Sequence, residues 1–162
     1  MKPIEYVKVL NTYYQSYGFP PYKWSVFKTT TWTPFEKPLA KARLALLCSS
    51  GLSRKDQPPF DPLARSDLSY REIPKDTLAE DLVINYSYYD HCDADKDINC
   101  VFPIDRFREL EQEGFIGEFW SPAYGLGMGR MYKRTALQTE LAAGIARKLR
   151  GAAVDALLCV PA

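Results

Sequence analysis

The apolar run Val154–Val160 (VDALLCV) constrains the fold more than any other feature of the chain. It is of strand length and nearly continuous, so a strand here has apolar side chains on both faces and must be covered on both, as in a parallel sheet flanked by helices. The residues leading into it switch period. Leu137, Leu141, Ile145 and Leu149 recur in four-residue steps, widened by Ala142 and Ala146, and Gly151 closes the segment. Thr135 and Gln138 have the spacing of a capping box at its start. A helix followed at once by a buried strand is one unit of an α/β fold.

The rest of the chain reads the same way. Arg43–Cys48 (RLALLC) is a compact apolar run ending in Ser49-Ser50-Gly51, expected as a central strand feeding a loop. Residues 52–80 are polar and proline-rich, with Pro58, Pro59, Pro62 and Pro74, and form a long excursion of the functional or disordered kind. Asp81–Tyr86 (DLVINY) is expected as a second strand. Pro103 opens a helix with Ile104, Phe107 and Leu110 on one face and Gly114 at its C-terminal cap. Phe119 and Trp120 suggest another short strand. The expected fold is α/β, a mostly parallel sheet flanked by helices of flavodoxin or Rossmann type. Residues 1–38 form an aromatic, proline-containing N-terminal arm and residues 39–162 the α/β domain. The arm packs either on the chain's own sheet or around a partner subunit.

Lys+Arg and Asp+Glu number 21 and 20, so no basic excess argues for nucleic acid or an anionic membrane. No apolar run approaches the roughly 18 residues of a membrane span, and MKPIEYVKVLNTYYQ lacks the apolar core of a signal peptide. The cytoplasm is the default location. Cys48, Cys92, Cys100 and Cys159 form no CxxC pair, which argues against both a disulfide framework and a structural zinc site. His91 is the only histidine, so a mechanism needing two is excluded.

Three segments are candidates for chemistry. In Tyr88–Asn99, Asp93, Asp95 and Asp97 alternate as in a calcium loop, but Ile98 stands where the pattern needs glycine and Ile104 where it needs a bidentate glutamate. His91, Asp93, Asp95 and Asp97 remain a candidate set for a divalent transition metal. Four carboxylates between Asp90 and Asp97 also repel one another and call for compensation by a cation, by Lys or Arg, or by helix N-termini. The bland alternative is a solvated loop capping the helix at Pro103. In Asp67–Pro74, Arg71 is suited to clamp a carboxylate in two-pronged fashion or to pair with those aspartates. The third segment pairs the strand ends at Cys48–Gly51 and Cys159–Pro161; Cys159, inside an apolar run, is expected as a buried filler. The glycine-rich Tyr124–Arg130 (YGLGMGR) matches no phosphate-binding pattern and reads as a turn.

Taken together, KPLAKARLALLCSSGL (37–52), QPPFD (57–61), DLSYREIP (67–74), YDHCDADKDINCVFPIDRFRELEQEGFIG (89–117) and VDALLCVP (154–161) resemble the glycine/sarcosine/betaine/D-proline reductase selenoprotein B family. The resemblance implies an oxidoreductase of α/β fold whose selenocysteine or cysteine follows the strand equivalent to VDALLCVP. The selenolate attacks the carbon bearing the amine, and the C–N bond is cleaved with electrons from a thioredoxin-like dithiol donor. A pyruvoyl-containing partner subunit holds the amine as a Schiff base. Tyr86 departs from a histidine common among relatives. The expected nucleophile position is directly after Ala162, as if reading had stopped at a UGA codon, so the chain as given is expected to be inactive alone. Ser49, Ser50, Gly51, Arg71 and His91 are the substrate-binding candidates that this resemblance and the strand ends suggest. The alternatives are a non-catalytic metal- or small-ligand-binding protein, and a structural subunit assembled through its arm; a homo-oligomer is expected throughout.

Overall fold

Arg43–Cys48 is the strand around which the sheet is organised, in a computed structural model that describes residues 5–29, 32–64, 66–85, 88–127 and 133–161. In chain order the elements are α1 (Tyr6–Ser16), β1 (Arg43–Cys48), β2 (Leu52–Arg54), β3 (Tyr70–Ile73), β4 (Leu82–Ile84), α2 (Ile104–Gln112), β5 (Glu118–Phe119), β6 (Ala123–Leu126), a last helix α3 (134–151) and β7 (Ala156–Val160). Tyr86, the latter part of Tyr124–Arg130 and Ala162 lie outside the described residues. Two units are distinguished, Met1–Pro34 and Phe35–Ala162.

In the second unit β7 runs parallel to β1 along its whole length, from Leu44 opposite Ala156 to Cys48 opposite Val160. On the other side of β1 two short parallel strands share the pairing. β5 takes Arg43 and Leu44, and β6 takes Leu47 and Cys48. β3 then adds antiparallel to β6, with Arg71 opposite Gly125. The sheet is thus mostly parallel.

Period-two alternation along β1 assigns its side chains to two helical layers. Leu44, Leu46 and Cys48 face the larger core, with Phe102, Ile104, Phe107, Ile116 and Phe119 around α2. Ala45 and Leu47 face the smaller core, where Tyr124 meets Leu141, Ile145 and Leu149 of α3. The four-residue stripe read in the sequence is therefore the buried face of α3, and the sheet is flanked by helices as expected for an α/β fold.

Several local expectations need correction. β4 forms as expected but is not in the parallel sheet. It pairs antiparallel with β2 in a separate two-stranded sheet, Leu52 opposite Ile84. Leu82 and Ile84 join the α2-side core from there. The capping box at Thr135 does not form: α3 starts at Arg134 with Lys133 as its uncapped N-cap, and Thr139 Oγ1 instead donates to the Thr135 carbonyl. The stretch Leu137–Ala142 within α3 is π-helical. Gly114 does end α2, with φ of +74° and its N–H on the Glu111 carbonyl. The long excursion 52–80 is not structureless, since it contains β2 and β3.

In the first unit α1 buries none of its residues. Its aromatic side chains meet the chain that follows: Tyr6 stands edge-on to Trp24, which Tyr22 also meets edge-on, and Tyr14 stands edge-on to Phe19. The Tyr22 N–H donates to Asn11 Oδ1. Among the described residues no helix is long and apolar enough to cross a membrane.

Candidate functional site

In an open parallel sheet, sites form beyond the carboxyl ends of the strands, because the connecting loops and their backbone groups gather there. Here β1, β6 and β7 end together. The turn after β1 is pinned across the other two ends: the Ser49 N–H donates to the Val160 carbonyl at 3.2 Å and the Gly51 N–H to the Leu126 carbonyl at 2.9 Å. The Asn85 N–H closes the turn from the far side on the Gly51 carbonyl. Ser50 is fully buried, and its Oγ lies 3.1 Å from Cys48 Sγ.

His91 is tied to this turn through a residue that sequence reasoning missed. The Tyr89 hydroxyl donates to the Ser50 carbonyl at 3.1 Å, and the Tyr89 ring lies 5.7 Å from that of His91. Burial pushes the Tyr89 phenol up, only partly offset by the bond to Ser50. His91 Nδ1 in turn comes within 2.8 Å of Asp95 Oδ2, close enough for an ion pair but not aligned as a hydrogen bond. Ser49, Ser50, Gly51 and His91 are thereby brought into one neighbourhood, with Tyr89 as the link. Nothing in spacing marks Tyr89; its part depends on where the chain crosses the end of β1. Tyr89→Phe removes one hydroxyl bond and is expected to cost about 1 kcal/mol in a urea titration. An unchanged midpoint would show that the hydroxyl does not hold the turn.

Arg71 lies on β3, and its donors are already engaged. Nε donates to the Pro58 carbonyl, one terminal nitrogen to that of Pro59, and the other to Ser69 Oγ and the Tyr70 carbonyl. The guanidinium sits 4.1 Å over the buried Phe60 ring. The pairing expected with the Asp90–Asp97 carboxylates is replaced by these bonds to carbonyls of the proline-rich loop. Asp67 fixes the next turn. Burial raises its carboxyl, but Ser69, the Asp61 N–H and the charge of Arg71 hold it below the usual range on balance.

The candidate metal set does not assemble. Among the described residues no three His, Cys, Asp or Glu side chains form a group able to hold an ion. Each carboxylate has turned to a local partner instead. Asp93 pairs with Lys96 at 3.0 Å, and Asp97 accepts from the N–H and side chain of Asn99. Asp90 accepts from the Cys92 N–H. The repulsion within the run is relieved by turn N–H groups and one lysine.

The two strand cysteines differ. Cys48 is fully buried and its thiol is pushed up by that burial, against opposing bonds from Ser50. Cys159, expected as filler, is exposed, because β7 lies at the edge of the sheet. Partial desolvation in the groove it shares with α3 still raises its thiol. Native alkylation is expected to modify Cys92, Cys100 and Cys159 while sparing Cys48, as mapped by peptide mass. Labelling of Cys48 at the rate of Cys100 would mean that the end of β1 is open.

Comparison with known proteins gives a family model, described as glycine/sarcosine/betaine reductase selenoprotein B, matching residues 19–161. The D-proline reductase subunit gamma of Acetoanaerobium sticklandii is 37% identical over 127 residues, covering 78% of this chain and 51% of that protein. The glycine reductase complex component B subunit gamma of Symbiobacterium thermophilum is 33% identical over 133 residues, covering 77% of this chain and 29% of that protein. The sarcosine reductase complex component B subunit beta of Peptoclostridium acidaminophilum is 32% identical over 102 residues, covering 60% and 23%. The chain thus spans about half the length of the first of these relatives and under a third of the other two. No solved structure matches significantly.

Proposed function

The chain belongs to the glycine/sarcosine/betaine reductase selenoprotein B family, and from that membership we propose that it serves in a reductase that cleaves a C–N bond of a small amino acid or related amine. The observation that carries this reading is the gathering of the Ser49–Ser50–Gly51 turn, the end of β7 and the Tyr89–His91 pair at one end of the sheet. In this reading the redox selenocysteine or cysteine sits in the segment that follows β7. It then emerges beside a turn whose backbone is already fixed, which suits a reaction limited by positioning.

The chemistry balances with a dithiol as the reductant. The selenolate or thiolate attacks the carbon bearing the nitrogen; a C–Se or C–S bond forms, the C–N bond breaks, and the amine leaves with a proton. A second thiol attacks that selenium or sulfur, the carbon takes a proton, and an external dithiol of thioredoxin type then reduces the mixed bond. Two electrons and two protons pass from dithiol to substrate. A pyruvoyl group on a partner subunit would hold a primary or secondary amine substrate as a Schiff base, from which water would later release the amine. In this reading Ser49 and His91 face the substrate, the buried Ser50 and Gly51 hold the turn that positions them, and Arg71 keeps the Pro58–Phe60 loop in place.

Co-expression with the pyruvoyl-bearing subunit of the same organism tests this reading. The two chains are expected to copurify, and this chain alone is expected to cleave no C–N bond with dithiothreitol, read as amine release from glycine, sarcosine or betaine and as ring opening of D-proline. Cleavage by the chain alone would overturn the placement of the redox residue. Failure to copurify would overturn the partnership.

A further inference from the structure

We propose that Asp95 positions His91 so that its Nε2 accepts a proton from the nitrogen of the substrate, which suits the site to amines that carry an N–H. The inference rests on the reading that the ends of β1, β6 and β7 form the substrate side of a reductase, and it assigns a first step there.

The acidic run leaves one carboxylate for the histidine. Asp90, Asp93 and Asp97 are engaged by the Cys92 N–H, by Lys96 and by Asn99. Asp95 instead turns to the ring, with Oδ2 2.8 Å from His91 Nδ1. The backbone holds the two residues together as well, since the Asp95 N–H donates to the His91 carbonyl at 2.9 Å. The Tyr89 ring, 5.7 Å away and inclined by 59°, bounds the imidazole on another side, and its hydroxyl is fixed on the Ser50 carbonyl. The imidazole is thus held by two neighbours, one of them anchored to the turn after β1.

The two ring nitrogens therefore differ. Nδ1 is buried, and a lone pair on it would face an anionic oxygen at 2.8 Å. In the neutral ring the proton sits on Nδ1 for that reason, even though the pair is not aligned as a hydrogen bond. Nε2 keeps the lone pair. It has no partner among the described residues, on a side chain that stays 25% exposed. A carboxylate at one nitrogen and an open lone pair at the other is the arrangement of a positioned base. An amine substrate arrives as an ammonium ion, whose nitrogen has no lone pair to react. Nε2 accepts one N–H proton, the electrons of that bond stay on the substrate nitrogen, and the imidazolium that forms is balanced by Asp95. The free amine is then able to add to a carbonyl, and the proton passes on to water. Betaine, whose nitrogen is fully methylated, has no proton to give in this step.

His91 is the only histidine, so nitrogen NMR of the purified chain labelled at histidine reports this ring alone. With the ring neutral, the proton is expected on Nδ1. Asp95→Ala is expected to let it move to Nε2, and Asp95→Glu to restore it in part. In the assembled reductase, Asp95→Ala is expected to lower kcat/KM about tenfold for whichever of glycine, sarcosine and D-proline is cleaved, and to lower it less for betaine where that is cleaved. An Nε2–H tautomer in the unmodified chain overturns the proposal, and this result stands even if the variants fail to fold. Undiminished kcat/KM on the substrates with an N–H, an equal loss on betaine, or a complex that cleaves betaine alone overturns it as well. A verified complex that cleaves none of the four refutes the reductase reading itself, and the proposal with it; any of the other contrary results refutes the proposal and leaves that reading in place.

Discussion

Replacing Gly125 with alanine is expected to destabilise the protein by about 3 kcal/mol, the upper part of the range for forcing atoms into a packed interior. A Cβ at this position would lie 2.3 Å from the Leu52 carbonyl oxygen and 3.3 Å from its carbon. These are backbone atoms, so no rotamer change relieves the clash. β6 cannot slide away either, since Gly125 is paired with Cys48 on one side and Arg71 on the other. The sheet must part where β2 crosses it, and the neighbouring Leu126 carbonyl, which holds the Gly51 N–H, must move too. Gly144→Ala is the matched control. Nothing lies within 4 Å of its Cβ, and it sits within a helix, so the same change is expected to stabilise by up to about 1 kcal/mol. Urea titrations of the two variants should shift in opposite directions; equal midpoints would refute the close approach of β2 and β6.

Phe119→Ala is expected to cost about 3–5 kcal/mol and to threaten folding at 37 °C. The side chain is fully buried, its ring centroid is 5.0 Å from that of Phe107, and its backbone pairs with Leu44. Its removal opens a cavity between α2 and the sheet, where Phe102, Ile104 and Ile116 are all buried and already in place. The Glu111 carboxylate of α2 accepts the Phe119 N–H and also pairs with Lys75, which ties α2 to β5 at this point. The site therefore cannot collapse cheaply. A loss below about 1.5 kcal/mol by thermal or urea unfolding would show that α2 repacks freely.

How much of this was legible in the sequence follows from which signals are local. The stripe Leu137–Leu141–Ile145–Leu149 and the run Arg43–Cys48 report their own periodicity, and both elements lie where that periodicity puts them. What a strand pairs with is not local. Leu82–Ile84 reads as a strand from its composition, yet only the fold reveals an antiparallel partner in Leu52–Arg54. Burial fails for the same reason at Cys159: an apolar run suggests a strand covered on both faces, while the position of β7 at the edge leaves it exposed. Thr135 and Gln138 have the spacing of a cap, but α3 begins one residue earlier and continues in π register, so the reciprocal bonds are not made.

The candidate site was legible in part. Small residues after a buried strand pointed to Ser49–Gly51, and that turn does lie across the ends of β6 and β7. The acidic run pointed to a metal, because spacing alone does not say whether carboxylates face inward together or outward to their own turn amides. Tyr89 carried no signal, since its contact with Ser50 joins residues 39 apart in the chain.

The measurement that tests the central claim most directly is dithiol-dependent C–N cleavage by the assembled reductase, read as amine release or, for D-proline, as ring opening, comparing this chain with its His91→Gln variant. If the ends of β1, β6 and β7 build the substrate side of the reaction, the complex cleaves the C–N bond of at least one of the family's substrates. The variant, at equal assembly and stability, then loses about tenfold or more in kcat/KM. Full activity in the variant, or no C–N cleavage of any of these substrates by a complex whose pyruvoyl group and redox residue are verified, contradicts that assignment.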